Sequence, residues 1–143
     1  MSTVTRATRR FAEVRTGDEL PPLAIDITTR LIVATAIASR DYQDVHHDKP
    51  GAQALGSPDI FMNILTTNGL VGRFVTDWAG PEALLRAVRI KLGVPNYPGD
   101  RMELRGHVTA MHEQGTELLV DIDVAGRNGL GFHVTGSVTV ALP

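Results

Sequence analysis

Residues 60–78 read IFMNILTTNGLVGRFVTDW, and this stretch decides the fold. Ile60, Ile64, Leu65, Val71, Phe74, Val75 and Trp78 recur near helical spacing. The run predicts one long helix from Ile60 to Trp78, with Ser57 or Asp59 as its N-cap and Gly80-Pro81 as its end. Gly69 and Gly72 each lower helix propensity by about 1 kcal/mol against alanine. Small residues inside a helix often mark close approach to a sheet, which is their reading here. Asn63, Thr66, Thr67 and Asn68 are polar positions in the same run. They are read as a polar face or satisfied packing contacts, with substrate contact near the helix start as the alternative. Trp78 is expected as a core or interface anchor.

Downstream, the pattern changes period from helix to strand. Val88, Ile90 and Leu92 alternate with Arg89 and Lys91; Met102, Leu104, Gly106, Val108 and Ala110 alternate with Glu103, Arg105, His107 and Thr109. Leu118, Val120, Ile122 and Val124 form a third strand, and Phe132, Val134, Gly136, Val138 and Val140 a fourth. Such alternation puts one face on a core and the other in water. Gly99-Asp100 marks a turn, and Glu113-Gln114-Gly115 and Asn128-Gly129 read as hairpin connections. Arg86, Arg89 and Lys91 are read as a wet basic strand face, with phosphate contact the alternative. His107, His112 and His133 carry no partner motif and are expected at the surface or an interface.

Upstream, Phe11 to Val14 is expected as a short strand, 16–19 as a turn, and Leu23 to Ile27 as another strand. Thr28 or Thr29 caps a predicted helix from Arg30 to about Ser39, strand being the alternative. The fold class is therefore α+β: a single domain over 11–143, with an antiparallel sheet wrapped around one long central helix. One helix cannot cover both faces of such a sheet. It is expected in the concave side, and the other face or an edge is expected to meet another subunit.

The 143 residues suffice for one core without staples. A composition 43% hydrophobic and 21% charged, with net charge −2, gives no reason to expect nucleic acid or an acidic membrane as partner. The absence of cysteine excludes disulfides, thiolate metal sites and cysteine nucleophiles. No apolar run approaches the roughly 20 residues that span a bilayer. Residues 1–10, with Arg6, Arg9 and Arg10, are expected to be a flexible leader, and the protein to be cytoplasmic.

Chemistry concentrates in Arg40-Asp41-Tyr42-Gln43-Asp44-Val45-His46-His47-Asp48, where acids and imidazoles crowd together. Asp41 and His46 would lie about 140° apart on an ideal helix. They converge only if Tyr42 to Val45 form a turn; otherwise the segment is a solvated loop capping the preceding helix. Adjacent His46 and His47 point to opposite faces of a strand, so no metal site is expected.

This cluster resembles the signature of the MaoC-like (R-specific) enoyl-CoA hydratases of the hot-dog fold, Asp-x-Asn-Pro-(aliphatic)-His-x-Asp. Asp41 and His46 match the family's catalytic pair, Asp48 its trailing acid and Ala52 the small residue beyond. Val94-Pro95-Asn96-Tyr97-Pro98-Gly99-Asp100 resembles the family's Pro-(3)-Gly-Asp turn. The chain departs from the pattern at Arg40, where the family has glycine, at Gln43-Asp44, where it has Asn-Pro, and at Ile60-Phe61, which stands for its His-Gly. These departures resemble the small MaoC-like subunit of actinobacterial heteromeric hydratases acting on steroid side-chain enoyl-CoA thioesters.

The resemblance implies that Asp41 and His46 share the base and acid roles in adding water to an enoyl-CoA. It implies a Phe61 backbone N–H as oxyanion donor at the helix start, with Asp48 orienting the loop by accepting backbone N–H bonds. No cofactor is implied beyond the coenzyme A of the substrate. The implied assembly is at least a dimer of hot-dog folds, either two copies or one copy with a larger MaoC-like subunit. Two other readings remain: a non-catalytic hot-dog partner, or a thioesterase using Asp59 beside the long helix.

Overall fold

Residues 7–143 are described by the structure, a computed structural model. The elements in chain order are β1 (Leu23–Asp26), α1 (Thr29–Ala38), α2 (Lys49–Ala54), α3 (Ile64–Ala79), β2 (Leu84–Leu92), β3 (Arg101–Gln114), β4 (Glu117–Asn128) and β5 (Gly131–Leu142). Single 3-10 turns occupy Phe11–Glu13 and Asp44–His46. The strands form one antiparallel sheet in the order β1-β3-β4-β5-β2. The two predicted hairpins are present, with Gln114 opposite Glu117 and Asn128 opposite Gly131.

The sheet curls around α3, whose buried positions Thr67, Val71, Phe74, Val75 and Trp78 form one helical stripe. They pack against the inward residues of the sheet, among them Leu104, Val108, Ile122, Val138 and Val140. Each fully buried side chain of this size contributes about 1.5–3 kcal/mol. Gly106 lets the long strand bend over the helix: a Cβ there would stand 3.0 Å from the Phe74 ring. β2 is the last strand of the sheet, and Leu84, Leu85 and Leu92 along it are exposed.

Several expectations need correction. The long helix starts at Ile64, not Ile60, and its N-cap is Asn63 rather than Ser57 or Asp59. Ile60 and Met62 are buried, but in extended backbone held by distant partners: Phe61 N–H donates to Val45 O and Met62 N–H to Asn96 O. Phe11–Glu13 is a 3-10 turn, not a strand. Gly72 does lie against β2, 3.5 Å from Leu85 by an added Cβ, whereas Gly69 is exposed with nothing near it.

Residues 1–6 of the expected leader lie outside the described residues. Residues 8–10 are tied down. Arg9 N–H donates to Ala79 O (2.8 Å) and Arg9 Nε to Trp78 O (3.0 Å), and its guanidinium lies over the Trp78 ring. Among the described residues, no helix is long and apolar enough to cross a membrane.

Candidate active site

Asp41 is placed by the way α1 ends. Thr28 Oγ caps the helix start by accepting from Leu31 N–H. At the other end Arg40 N–H donates to Ile37 O (3.0 Å) and Asp41 N–H to Ala36 O (2.9 Å). These are the two bonds of a Schellman motif. The motif needs a left-handed residue, and Arg40 supplies it at φ 57°, the position where the resemblance has glycine. An L side chain in this region costs about 1 kcal/mol or more. Arg40→Gly is therefore expected to raise unfolding stability by about 1 kcal/mol without moving Asp41, measurable by urea denaturation.

The 3-10 turn Asp44–His46 then folds the chain back, so that Tyr42 to Val45 turn as the convergence of the pair requires. His46 is 5% exposed, and its Nε2 lies 3.2 Å from Asp41 Oδ2. His46 Nδ1 is 2.7 Å from the Phe61 carbonyl, and its ring meets the Phe61 ring edge-on at 5.1 Å. A carbonyl only accepts, so Nδ1 carries hydrogen and Nε2 faces the carboxylate. At 3.2 Å the Nε2 atom of His46 and Oδ2 of Asp41 are within hydrogen-bond reach of one another.

Phe61 thus holds His46 through its carbonyl and ring. Its N–H, expected as the oxyanion donor, is already donated to Val45 O (3.0 Å), and it precedes the helix by three residues. Following the backbone forward gives the alternatives. Ile60 N–H donates to Asp59 Oδ1, Met62 N–H to Asn96 O, Thr66 N–H to Asn63 Oδ1 and Thr67 N–H to Asn63 O. Among the described residues, the amides of Asn63, Ile64 and Leu65 have no such acceptor, as the first positions of a helix must.

Asn63, read from the sequence as a polar position inside the helix with substrate contact as the alternative, is instead its N-cap and touches Asp41. Its Nδ2 donates to Asp41 Oδ2 (3.2 Å) and Ser39 Oγ (2.9 Å). The signal was present: Asn directly before an apolar-periodic run is a strong N-cap.

Asp48 stands at the N-cap of α2, where its side chain makes no capping hydrogen bond. His47 turns to Asp44 (3.7 Å) rather than to the pair. Asp59 lies four residues ahead of the helix cap, its carboxylate engaged by Ile60 N–H and Lys49 Nζ (3.6 Å). No group of three His, Cys, Asp or Glu side chains among the described residues is placed to hold a metal.

His133 is the further correction: it is 2% exposed, not at the surface. Its Nδ1 donates to Val94 O (2.7 Å) and its Nε2 accepts from Thr67 Oγ1 (2.8 Å), joining α3 to the loop after β2. Burial lowers its pKa below the ordinary 6.5; the hydrogen bond to Val94 and the charge of Asp100 oppose this without cancelling it. The unfolded chain then binds a proton at a pH where the folded chain does not. The stability His133 contributes is complete above about 6.5 and is lost as pH falls below it. His133→Gln is expected to flatten the drop in melting temperature between pH 7.5 and 5 relative to the unsubstituted chain.

Arg89 and Lys91 line a cleft of about 730 Å³ with Arg105 and His107, on the sheet face opposite α3. Arg86 pairs with Glu117. Asp41 and His46 do not line this cleft. Tyr42, Ile64 and Leu65, close in sequence to Asp41 and Asn63, are exposed apolar side chains.

An Asp–His contact thus lies beside the N-cap of the helix that the sheet curls around. No family model matches the chain. Over 126 residues it is 49% identical to the 3-oxo-4,17-pregnadiene-20-carboxyl-CoA hydratase beta subunit of Mycobacterium tuberculosis, covering 88% of this chain and 95% of the relative. The chain belongs to the MaoC-like hydratase family of hot-dog proteins.

Among solved structures it is similar to a chain of the ChsH1-ChsH2 complex from Mycobacterium tuberculosis, with TM-score 0.85, 48% identity, and coverage of 90% of this chain and 98% of that one. It also matches the (R)-hydratase from A. caviae involved in PHA biosynthesis, with TM-score 0.81 over 91% of this chain and 98% of that one. At 19% identity, that second likeness is one of fold.

Proposed function

We propose that this chain is the catalytic small subunit of a hydro-lyase that adds water across the 2,3 double bond of an enoyl-CoA thioester. The observation that carries the reading is the Asp41–His46 contact at 3.2 Å, with His46 fixed from behind by the Phe61 carbonyl. Water attacking C3 gives up one proton to the pair. The thioester oxygen gains charge as C2 becomes enolate-like, and the pair returns one proton to C2. The pair ends with the proton count it began with.

The developing oxyanion needs a fixed donor at a helix start, where amides lack partners and the dipole favours negative charge. The Asn63 amide is the first in the chain after Asp59 without an acceptor, so it takes the role sequence reading gave to Phe61, with Ile64 and Leu65 behind it. The relative's name supports a steroid side-chain CoA thioester as substrate, coenzyme A entering as part of it.

The two-component complex among the similar structures supports assembly with a second, larger MaoC-like subunit. The open edge of β2, with Leu84, Leu85 and Leu92 exposed, is the surface for it, and the exposed side chains of Tyr42, Ile64 and Leu65 are where a partner would close an acyl tunnel. A thioesterase reading loses its acid, because Asp59 is held by Lys49 and lies off the helix.

The test is to purify the chain alone and with a larger MaoC-like subunit and to follow the enoyl-thioester absorbance together with free thiol. The reading expects bleaching without thiol, and a particle holding two hot-dog folds at least. Thiol release, or no bleaching in either preparation, contradicts it.

A further inference from the structure

We propose that Asn63 is a positioning residue that fixes the Asp41 carboxylate and sets its distance from the oxyanion donor; this rests on the hydratase reading above. The side chain is 2% exposed and both ends of its amide are committed. Oδ1 accepts from Thr66 N–H (2.9 Å) and Thr66 Oγ1 (2.5 Å). An N–H can only donate, so this end is the oxygen, and the NH₂ end necessarily faces Asp41 Oδ2 and Ser39 Oγ. Ser39 accepts from it while donating its own hydroxyl hydrogen to Thr35 O (2.7 Å).

One side chain therefore ties together the C-terminal end of α1, the carboxylate of Asp41 and the first turn of α3. Oδ2 of Asp41 meets two groups, Asn63 Nδ2 and His46 Nε2. Oδ1 receives a long contact of 3.4 Å from Gln43 N–H. The terminal torsion of an aspartate is broad, so a carboxylate held by His46 alone can turn its plane away from the imidazole. The Asn63 amide limits that rotation and holds one oxygen against His46, which leaves the other to meet substrate water. Because the backbone N–H of the same residue is the proposed oxyanion donor, proton transfer and charge stabilisation are set on one rigid unit.

The functional contact separates from the structural one in two variants. Asn63→Ser and Asn63→Asp both keep an N-cap acceptor for Thr66, and the second adds a charge the helix dipole favours. Both remove the donor to Asp41, and the second sets an oxygen against its carboxylate. The assay uses the full chain assembled with the larger subunit, and 3-oxo-4,17-pregnadiene-20-carboxyl-CoA as substrate, with Asp41→Asn alongside. The expected result is a fall in kcat of about tenfold for Asn63→Ser and about a hundredfold for Asn63→Asp, with KM within about twofold. The melting temperature of Asn63→Ser changes little, because the N-cap acceptor is kept, whereas Asn63→Asp also loses stability to the like charge of Asp41.

A purely capping role predicts rates that follow stability. If both variants keep kcat within about twofold while Asp41→Asn is inactive, the Asn63 proposal is overturned and the dyad stands. So too if Asn63→Asp is no slower than Asn63→Ser. An active Asp41→Asn overturns the dyad reading and this proposal with it.

Discussion

Asp41→Asn is expected to lower turnover of an enoyl-CoA thioester by at least about a hundredfold, and His46→Ala to do the same, the usual scale for losing a general acid or base. The asparagine keeps the shape of the aspartate but cannot take a proton from water. It also presents either an NH₂ or a carbonyl to His46 Nε2, and neither serves as a relay. The side chain of Asp41 is 19% exposed, so the substitution leaves the core untouched and the melting temperature close to that of the unsubstituted chain. His46→Ala differs in that respect. The imidazole is 7% exposed and packs on Phe61, and its loss leaves the Phe61 carbonyl without a donor, costing about 1–3 kcal/mol of stability. The double variant should be no slower than the worse single one, because the two groups share one proton-transfer task. Rates near those of the unsubstituted protein in both single variants would refute the assignment.

The second large effect is on stability. Gly136 sits on β5 opposite Ile90 of β2, and a Cβ there would stand 2.1 Å from the Arg89 carbonyl oxygen. The three nearest atoms, Arg89 O, Ile90 Cα and Arg89 C, are all backbone and leave little room to give. Gly136→Ala is expected to cost about 3 kcal/mol in urea unfolding, within the range for overpacked sites, and to loosen β2 along the edge that a second subunit would use. Gly69→Ala provides the opposite outcome. It is exposed in α3 with nothing within 4 Å, so the same substitution should stabilise by about 1 kcal/mol. Two glycines exchanged for the same residue should thus move stability in opposite directions, which a general tolerance or intolerance of alanine does not produce.

The strand meander and α3 were legible because their burial is periodic. Val71, Phe74, Val75 and Trp78 mark a helix stripe, and Val120, Ile122 and Val124 mark a strand face, whatever the rest of the chain does. The Asn128-Gly129 and Gly115 turns were legible because their backbone geometry is a local property. What escaped depended on distant partners. Ile60 to Met62 carry the apolar spacing of a helix, yet Val45 and Asn96 hold them extended, and nothing near in sequence reveals that. That shift leaves the Phe61 N–H donated to Val45 O, and the Asn63 N–H without an acceptor among the described residues. His133 alternates as an outward residue would, but Thr67 and the loop at Val94 enclose it.

In the candidate site, Asp41 and His46 were legible as residues but not as geometry. Their meeting depends on a Schellman turn at Arg40, where the side chain gives no hint of a left-handed backbone. Asn63 was visible only as a polar position in a helix. Its contact with Asp41 spans 22 residues of sequence, beyond the reach of any periodicity.

The most direct test of the central claim follows the oxygen. The chain, assembled with a larger MaoC-like subunit, is given an enoyl-CoA thioester in oxygen-18 water, and the products are separated by mass. Water addition by the Asp41–His46 pair predicts heavy oxygen in a hydroxyl on C3 of an intact acyl-CoA, and no such product from Asp41→Asn. Heavy oxygen in a free carboxylic acid, or an equal yield of hydroxyacyl-CoA from the Asp41→Asn variant, would contradict it.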